Sequence, residues 1–308
     1  MKFISRETAA GKLNWSGVVE ALRAGHQRPK AEVGDQFLTR AQDTLLSRAA
    51  WIDGLGFGVK SVSVMADNAA KGLPSVQGAM LVFEDQGGSL EAIIDSSLIT
   101  EWKTAGDSVF GAKLLAREDS QRHLIVGAGV VAETLIRAYS EVFPTINHIQ
   151  VWNRTAEKAE ALAKKMAQAG FPVQAVTDLE KACSHADIIS TATMSKSPVL
   201  KGGWVSPGTH IDLIGAFKKD MREADDVLLQ KARLCVDSYD TTIGHIGELM
   251  IPLATGAISR GDVLADLYDL VGGFAGRTAA EDITVFKNGG GAHLDLMTAK
   301  YILSAIGE

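Results

Sequence analysis

Gly127, Gly129 and Ala132 mark the passage of the chain whose spacing carries the most chemistry. A short apolar run, His123-Leu-Ile-Val126, enters Gly127-Ala128-Gly129-Val130, and an apolar helical pattern follows directly. The G-x-G-x-x-A spacing is that of the dinucleotide fingerprint, not of the longer phosphate loop ending in Gly-Lys-Ser/Thr. The first glycine permits a sharp turn. The second leaves room for a pyrophosphate against the positive N-terminal end of a helix. Ala132 is small enough for that helix to pack closely on the strand. The next strand, His148-Ile-Gln-Val-Trp152, ends at Asn153-Arg154-Thr155. An NAD site usually carries Asp or Glu there for the ribose hydroxyls. Asn153 removes that carboxylate, and Arg154, with Thr155 beside it, offers a fork for a 2′-phosphate. NADPH/NADP is therefore the expected cofactor, with NADH less preferred. The plainer reading of Arg154 is a solvated cation at a strand end.

The βα alternation continues with a short edge-like strand at 173–176, a helix at 178–184 and the strand Ala186-Asp-Ile-Ile-Ser-Thr-Ala-Thr193. Further strands are Thr209-His-Ile-Asp-Leu-Ile-Gly215 and Arg233-Leu-Cys-Val-Asp237. In a parallel sheet, Thr191, Ala192, Thr193 and Gly215-Ala-Phe217 would lie on the carboxyl edge, where ligands bind. Thr and Ser also cap following helices, so both uses stay open.

A second set of reactive residues precedes this region. Lys60 lies in Gly56-Phe-Gly-Val-Lys60-Ser-Val-Ser-Val64, where alternation puts it on the face opposite Val59. It reads either as a solvent-facing lysine or as a cleft lysine that binds a carboxylate or donates to a reacting nitrogen. Arg40 and Arg48, ahead of that strand, are natural partners for a substrate carboxylate, which guanidinium matches bidentately. In Trp102-Lys103-Thr104-Ala-Gly-Asp107, Lys103 and Asp107 are four apart on a helix pattern. They read as a surface pair, or Asp107 as an acid or ligand-orienting carboxylate.

The elements around these residues differ in texture from the nucleotide-binding part. Asn14 caps a helix over 15–24; strands at 56–64 and 77–83 flank Lys71-Gly-Leu-Pro74, and a third runs over 89–95. This predicts an antiparallel or mixed sheet, followed by a helix over 97–116 that bridges into the nucleotide domain. The turn at 289–291 and the terminal helix are expected to return to the first domain. The fold class is thus α/β, a Rossmann-type nucleotide domain (113–284) inserted into an α+β substrate and dimerisation domain made from 1–112 and 285–308.

The chain has 308 residues, 46% of them hydrophobic and 22% charged, enough apolar content to exclude a largely disordered protein. A net charge of −6 argues against nucleic acid as a partner. The two cysteines, Cys183 and Cys235, sit in apolar runs and read as buried thiols. With no run of about 20 apolar residues and no signal-peptide pattern, a cytoplasmic protein without membrane contact is expected. HExxH, CxxC, close His/Cys clusters and the GxSxG elbow are all missing, so no metal is expected. His210 reads as strand-end packing, and His293 as a helix-start residue or a cleft neighbour.

The order of segments resembles the ornithine cyclodeaminase/mu-crystallin family over nearly the whole chain. The resemblance is carried by Gly56-Phe-Gly-Val-Lys60, Gly72-Leu-Pro74, the 98–108 segment, Val126-Gly-Ala-Gly129 and Ser190-Thr-Ala-Thr193. It extends through 210–222, Gly247-Glu-Leu249, Gly256-Ala-Ile258 and Val285-Phe-Lys-Asn-Gly-Gly-Gly-Ala292 with Asp295. Such a member would be a homodimer whose substrate domain comes from both chain ends. The resemblance puts the family's strand lysine at Lys60 and its early arginine at Arg48 or Arg40. It also counts Gln77 and Thr104 with the cofactor, and Gly290 with the substrate. Lys103 stands where the family motif has arginine, keeping the charge but losing the rigid fork. Phe217 stands where cyclodeaminases carry an aspartate, and a phenyl ring cannot accept a proton. The implied activity is NADPH-dependent reduction of a small cyclic 2-imino acid, Δ1-pyrroline-2-carboxylate or Δ1-piperideine-2-carboxylate, to L-proline or L-pipecolate. Lys60, Asp107 or an ordered water would handle the nitrogen proton. The alternatives are an alanine-type or other amino-acid dehydrogenase, a hydroxyproline dehydratase, an ornithine cyclodeaminase, disfavoured by Phe217, and a mu-crystallin-like binding protein without turnover.

Overall fold

The structure, a computed structural model, describes residues 2–307. The chain divides into two compact units, Met1–Gly106 with Gly291–Glu308, and Asp107–Gly290.

The first unit is built on six strands: β1 (Lys2–Ile4), β2 (Glu32–Arg40), β3 (Asp43–Ile52), β4 (Gly56–Val64), β5 (Val76–Phe83) and β6 (Leu90–Asp95). Their order is β1-β6-β5-β4-β3-β2, antiparallel throughout except for the β1/β6 pair, so the sheet is mixed. β2 and β3 have no counterpart among the sequence expectations. Gly34-Asp-Gln36 and Gln42-Asp43 interrupt the apolar pattern there, and every residue of β2 is exposed. Asn14 caps the helix Trp15–His26 by accepting the Gly17 N–H at 2.7 Å. That helix packs on the terminal helix Ala292–Gly307; a Cβ on Gly17 would strike Tyr301, and one on Gly25 would strike Met297. Along β4, Gly56, Gly58, Lys60 and Val62 form the buried face, and a Cβ on Gly58 would meet Leu296 of the terminal helix. Full burial of side chains such as Leu22, Ile52 and Ile94 contributes about 1.5–3 kcal/mol each.

The second unit holds eight parallel strands: β7 (Arg122–Val126), β8 (His148–Trp152), β9 (Val173–Ala175), β10 (Ile188–Thr191), β11 (His210–Leu213), β12 (Arg233–Val236), β13 (Val263–Ala265) and β14 (Thr284–Lys287). The order is β13-β12-β14-β11-β10-β7-β8-β9, with β9 at the edge as its short, half-polar sequence indicates. β14 differs from the expectation. The sequence pattern groups residues from 285 onward with the chain ends, yet Thr284–Lys287 lies between β11 and β12. A central parallel strand is covered on both faces, so its four-residue run shows no alternation to betray it. The sheet interior also takes polar groups. Tyr139 donates its hydroxyl to Asp212 at 3.1 Å, and His210 meets the Thr284 hydroxyl at 2.9 Å, consistent with the packing role read for it. Cys183 and Cys235 are free and buried, and burial pushes both thiols up to about 12.

Candidate functional site

The carboxyl edge of the second unit collects the residues of the dinucleotide fingerprint. Gly127 has a φ of 125°, and its N–H donates to Trp152 O at 2.8 Å, tying the end of β7 to the end of β8. A Cβ there would lie 2.6 Å from the Ala192 carbonyl oxygen, so only glycine fits. Gly129 is the N-cap of the helix Val130–Val142, and a Cβ on it would meet nothing within 4 Å. The space beside Gly129 at the helix start is therefore open, as the close approach of a pyrophosphate requires. Val130 is exposed and Ala132 fully buried against the strand. At the end of β8, the Asn153 amide donates to Thr155 O at 2.9 Å, and Thr155 is the N-cap of the helix Ala156–Gln168. Arg154 is exposed and has no ion pair among the described residues. The residues present fit a dinucleotide, and Arg154 is free to take an added phosphate.

The ends of β10 and β11 are organised by a residue that the sequence reading passed over. Glu223, fully buried, accepts from the Thr191 hydroxyl at 2.8 Å and from the Thr193 N–H and hydroxyl, both at 2.7 Å. It also accepts the Gly215 N–H at 2.7 Å and the Ala216 N–H at 3.3 Å. The Thr191 hydroxyl is thus engaged inside the fold. Glu248 accepts the N–H groups of Glu223 and Ala224 at 2.8 and 2.9 Å, and burial, with the nearby Glu223 charge, pushes it up to about 7. Lys287 sits beneath, donating to the carbonyls of Leu213, Ala216 and Asn288; burial draws it below the ordinary lysine value, against the pull of Glu248 and Glu223. Glu248, in Ile246-Gly-Glu-Leu-Met-Ile251, carries a signal as a carboxylate in an apolar segment, whereas Glu223, in Lys218-Lys-Asp-Met-Arg-Glu-Ala-Asp-Asp226, is one charge among many. Phe217 follows this corner, 54% exposed, with the Lys218 ammonium 5.5 Å from its ring centroid. Gly290 is buried with a φ of 74°, and its N–H and that of Gly289 both donate to Asp237. Asp107 is fully buried in this unit, which rules out the surface-pair reading.

The first unit gathers a cationic cluster. Lys60 donates from Nζ to Asp295 Oδ1 at 2.6 Å, with side chains 9% and 1% exposed. Burial, reinforced by Lys103 and Arg48, lowers the Lys60 ammonium below the ordinary lysine value, while Asp295 opposes the shift. Arg48 stands opposite Lys60 in the β3/β4 register and forks Asp35 on β2, Nε to Oδ1 at 3.0 Å and Nη2 to Oδ2 at 2.8 Å. Lys103, on the helix Ser96–Leu115, is buried and has no carboxylate partner among the described residues. His293 is held well below the ordinary histidine range by burial, with His26, Lys103 and Arg48 adding to the effect. The fold therefore brings Lys60, Arg48 and Lys103 together. Arg40 stays apart, its side chain 84% exposed beside Asp43 at the far end of β2. Gln77 is exposed on β5, donating to Pro74 O, and Thr104 is half-buried one residue after Lys103.

Among the described residues, no group of three or more His, Cys, Asp or Glu is placed to hold a metal ion. A groove of about 760 Å³ beside β8 and β9, lined by Arg122, His148, Gln150 and Lys181, contains none of the site residues named above.

Comparison with known proteins matches residues 50–308 to the ornithine cyclodeaminase/mu-crystallin family. The chain is 57% identical to a Δ1-pyrroline-2-carboxylate reductase of Paracoccus denitrificans, over 98% of this chain and 96% of that protein. The solved structure of Thermococcus litoralis Δ1-pyrroline-2-carboxylate reductase in complex with NADH and L-proline superposes with a TM-score of 0.91 at 31% identity, covering 99% of this chain and 97% of that one. An archaeal alanine dehydrogenase dimer with bound NAD gives a TM-score of 0.90 at 27% identity, covering 99% and 95%. The chain belongs to the ornithine cyclodeaminase/mu-crystallin family.

Proposed function

We propose that this member of the ornithine cyclodeaminase/mu-crystallin family reduces a small cyclic 2-imino acid, Δ1-pyrroline-2-carboxylate or its six-membered analogue, to the corresponding L-amino acid with NADPH. The observation that carries the reading is Lys103, a buried cation without a carboxylate partner among the described residues, beside the closed pair of Lys60 and Asp295. An anionic substrate supplies the missing counter-charge. Arg48 is committed to Asp35 and adds field more than a fork. The dinucleotide, when bound at Gly127 and Gly129, supplies a hydride to the imine carbon. Lys60 holds a proton at Nζ, in a setting that makes it easier to release than from an exposed lysine, and Asp295 fixes the direction in which it points. Phe217 offers apolar surface and no base, which favours reduction over deamination of an open-chain diamine.

The preference for NADPH rests on Asn153 and the unpaired Arg154 at the end of β8. Titration with both cofactors tests it, and tighter binding of NADH would sink it. The activity itself is tested by NADPH oxidation with cyclic imines, 2-oxo acids plus amines, and hydroxyprolines; tight binding without oxidation would leave a binding protein instead. The reading includes a homodimer through the first unit, supported by the edge strand β2 and the exposed Val33, Phe37, Leu38, Leu45 and Trp51. A monomeric mass by light scattering would contradict it. Two buried, unpaired thiols accord with a cytoplasmic setting. No described helix is long and apolar enough to cross a membrane.

A further inference from the structure

We infer that Glu223 is the positioning residue for the nicotinamide half of the cofactor, an assignment that rests on the dinucleotide reading above. The argument begins with strand order. β8 ends at Asn153 and Arg154, where the adenosine ribose would lie, and β7 ends at Gly127, where the pyrophosphate would lie. β10 and β11 follow on the other side of β7, so a dinucleotide laid across these ends reaches them with its nicotinamide half.

Those two ends are not held by the ladder alone. Beyond Thr191 and Leu213 the strands stop; backbone bonds from Ala192 to Val126 and from Ile214 to Thr191 continue for one residue, and one carboxylate then ties Thr193 to Gly215 and Ala216. Glu223 Oε1 accepts both donors of Thr193, and Oε2 accepts the Thr191 hydroxyl and the N–H groups of Gly215 and Ala216. Five donors from two segments thus converge on a fully buried acceptor. The segments touch closely enough that a Cβ on Gly215 would lie 1.9 Å from the Thr193 carbonyl oxygen. Glu223 is itself fixed by Glu248, which takes its own N–H and that of Ala224, while Lys287 ties Leu213 and Ala216 from below. A carboxylate suits this place because it accepts at both oxygens. An amide would aim N–H groups at one set of donors and force that segment away.

The test uses Glu223→Gln and two ligands on the full-length protein: NADPH, and 2′-phospho-ADP-ribose, which lacks the nicotinamide. Thr191→Val, which removes one of the five donors, serves as a milder variant should Glu223→Gln fail to fold. The expected result is at least tenfold weaker NADPH binding in Glu223→Gln, and a smaller loss of the same kind in Thr191→Val. Affinity for 2′-phospho-ADP-ribose should change less than about twofold in both. Equal loss for both ligands would make Glu223 a general structural residue and overturn the assignment, as would undiminished NADPH binding. Wild-type protein that binds neither ligand, nor NADH and ADP-ribose in their place, would instead overturn the dinucleotide reading itself, and this inference with it; a protein that binds only the latter two is tested with them in the same way.

Discussion

Replacing Lys60 by methionine isolates the buried ion pair at the centre of the proposed substrate site. The Asp295 side chain is 1% exposed, and its Oδ2 has no hydrogen-bond partner among the described residues. Loss of Lys60 would leave the whole carboxylate buried without a side-chain donor. Breaking a buried pair from one side costs about 3–5 kcal/mol, because the remaining charge is neither solvated nor paired. Lys60→Met should therefore lower the stability of the folded chain by about that amount in urea, and the melting temperature by roughly 5–8 °C. Lys60→Met/Asp295→Leu removes both charges and should recover most of the loss, since apolar replacement of a buried pair is close to neutral. Activity should not recover. With Δ1-pyrroline-2-carboxylate as substrate, both variants should lose about 10²–10⁴-fold in kcat/KM, while NADPH affinity stays near that of the parent. A single variant destabilised by under about 1 kcal/mol would refute the energetic argument. Full reductase activity in the double variant would return Lys60 to a purely structural role.

Arg154→Ala should weaken NADPH binding by about tenfold or more and leave NADH almost unchanged, measured by titration of both cofactors; equal loss for the two would discard the 2′-phosphate contact. Under conditions where the cyclic imine is reduced, L-ornithine should release no ammonia, and steady ammonia production would defeat the reading of Phe217. Stability should fall as pH drops below about 6.5, because burial holds folded His123 and His210 down to about 3 and His26 to about 4, with His293 also well below its usual range. Unfolding frees those histidines to bind protons, which costs the fold up to about 1.4 kcal/mol per group for each pH unit below the unfolded value. Asp212 and Glu248, both pushed up to about 7 by burial, act with the opposite sign, adding stability at low pH that is lost as pH rises towards 7. Four histidines outweigh two carboxyls, so urea midpoints should decline from pH 7 to pH 5; a flat or rising profile would contradict the balance.

What the sequence alone determined is local. The G-x-G-x-x-A turn, the Asn14 cap and the strands Gly56–Val64 and His148–Trp152 follow from the chirality of the backbone, side-chain volume and hydrophobic period, all of which act over a few residues. Alternation along β4 also put Lys60 on the face opposite Val59. It could not say which face would be covered. That was decided by the helix Ala292–Gly307, which brings Asp295 against a residue 235 positions earlier and turns the lysine face into the buried one. Glu223 was invisible for the same reason. Its five donors come from segments up to 32 residues away, and nothing in a lone glutamate announces them. The run Thr284–Lys287 is half polar and too short to read as a central strand, and its pairing with β11 and β12 is a choice among partners. Period and propensity set what a segment can become, whereas burial, ion pairing and strand neighbours depend on distances that exist only once remote parts of the chain have packed together.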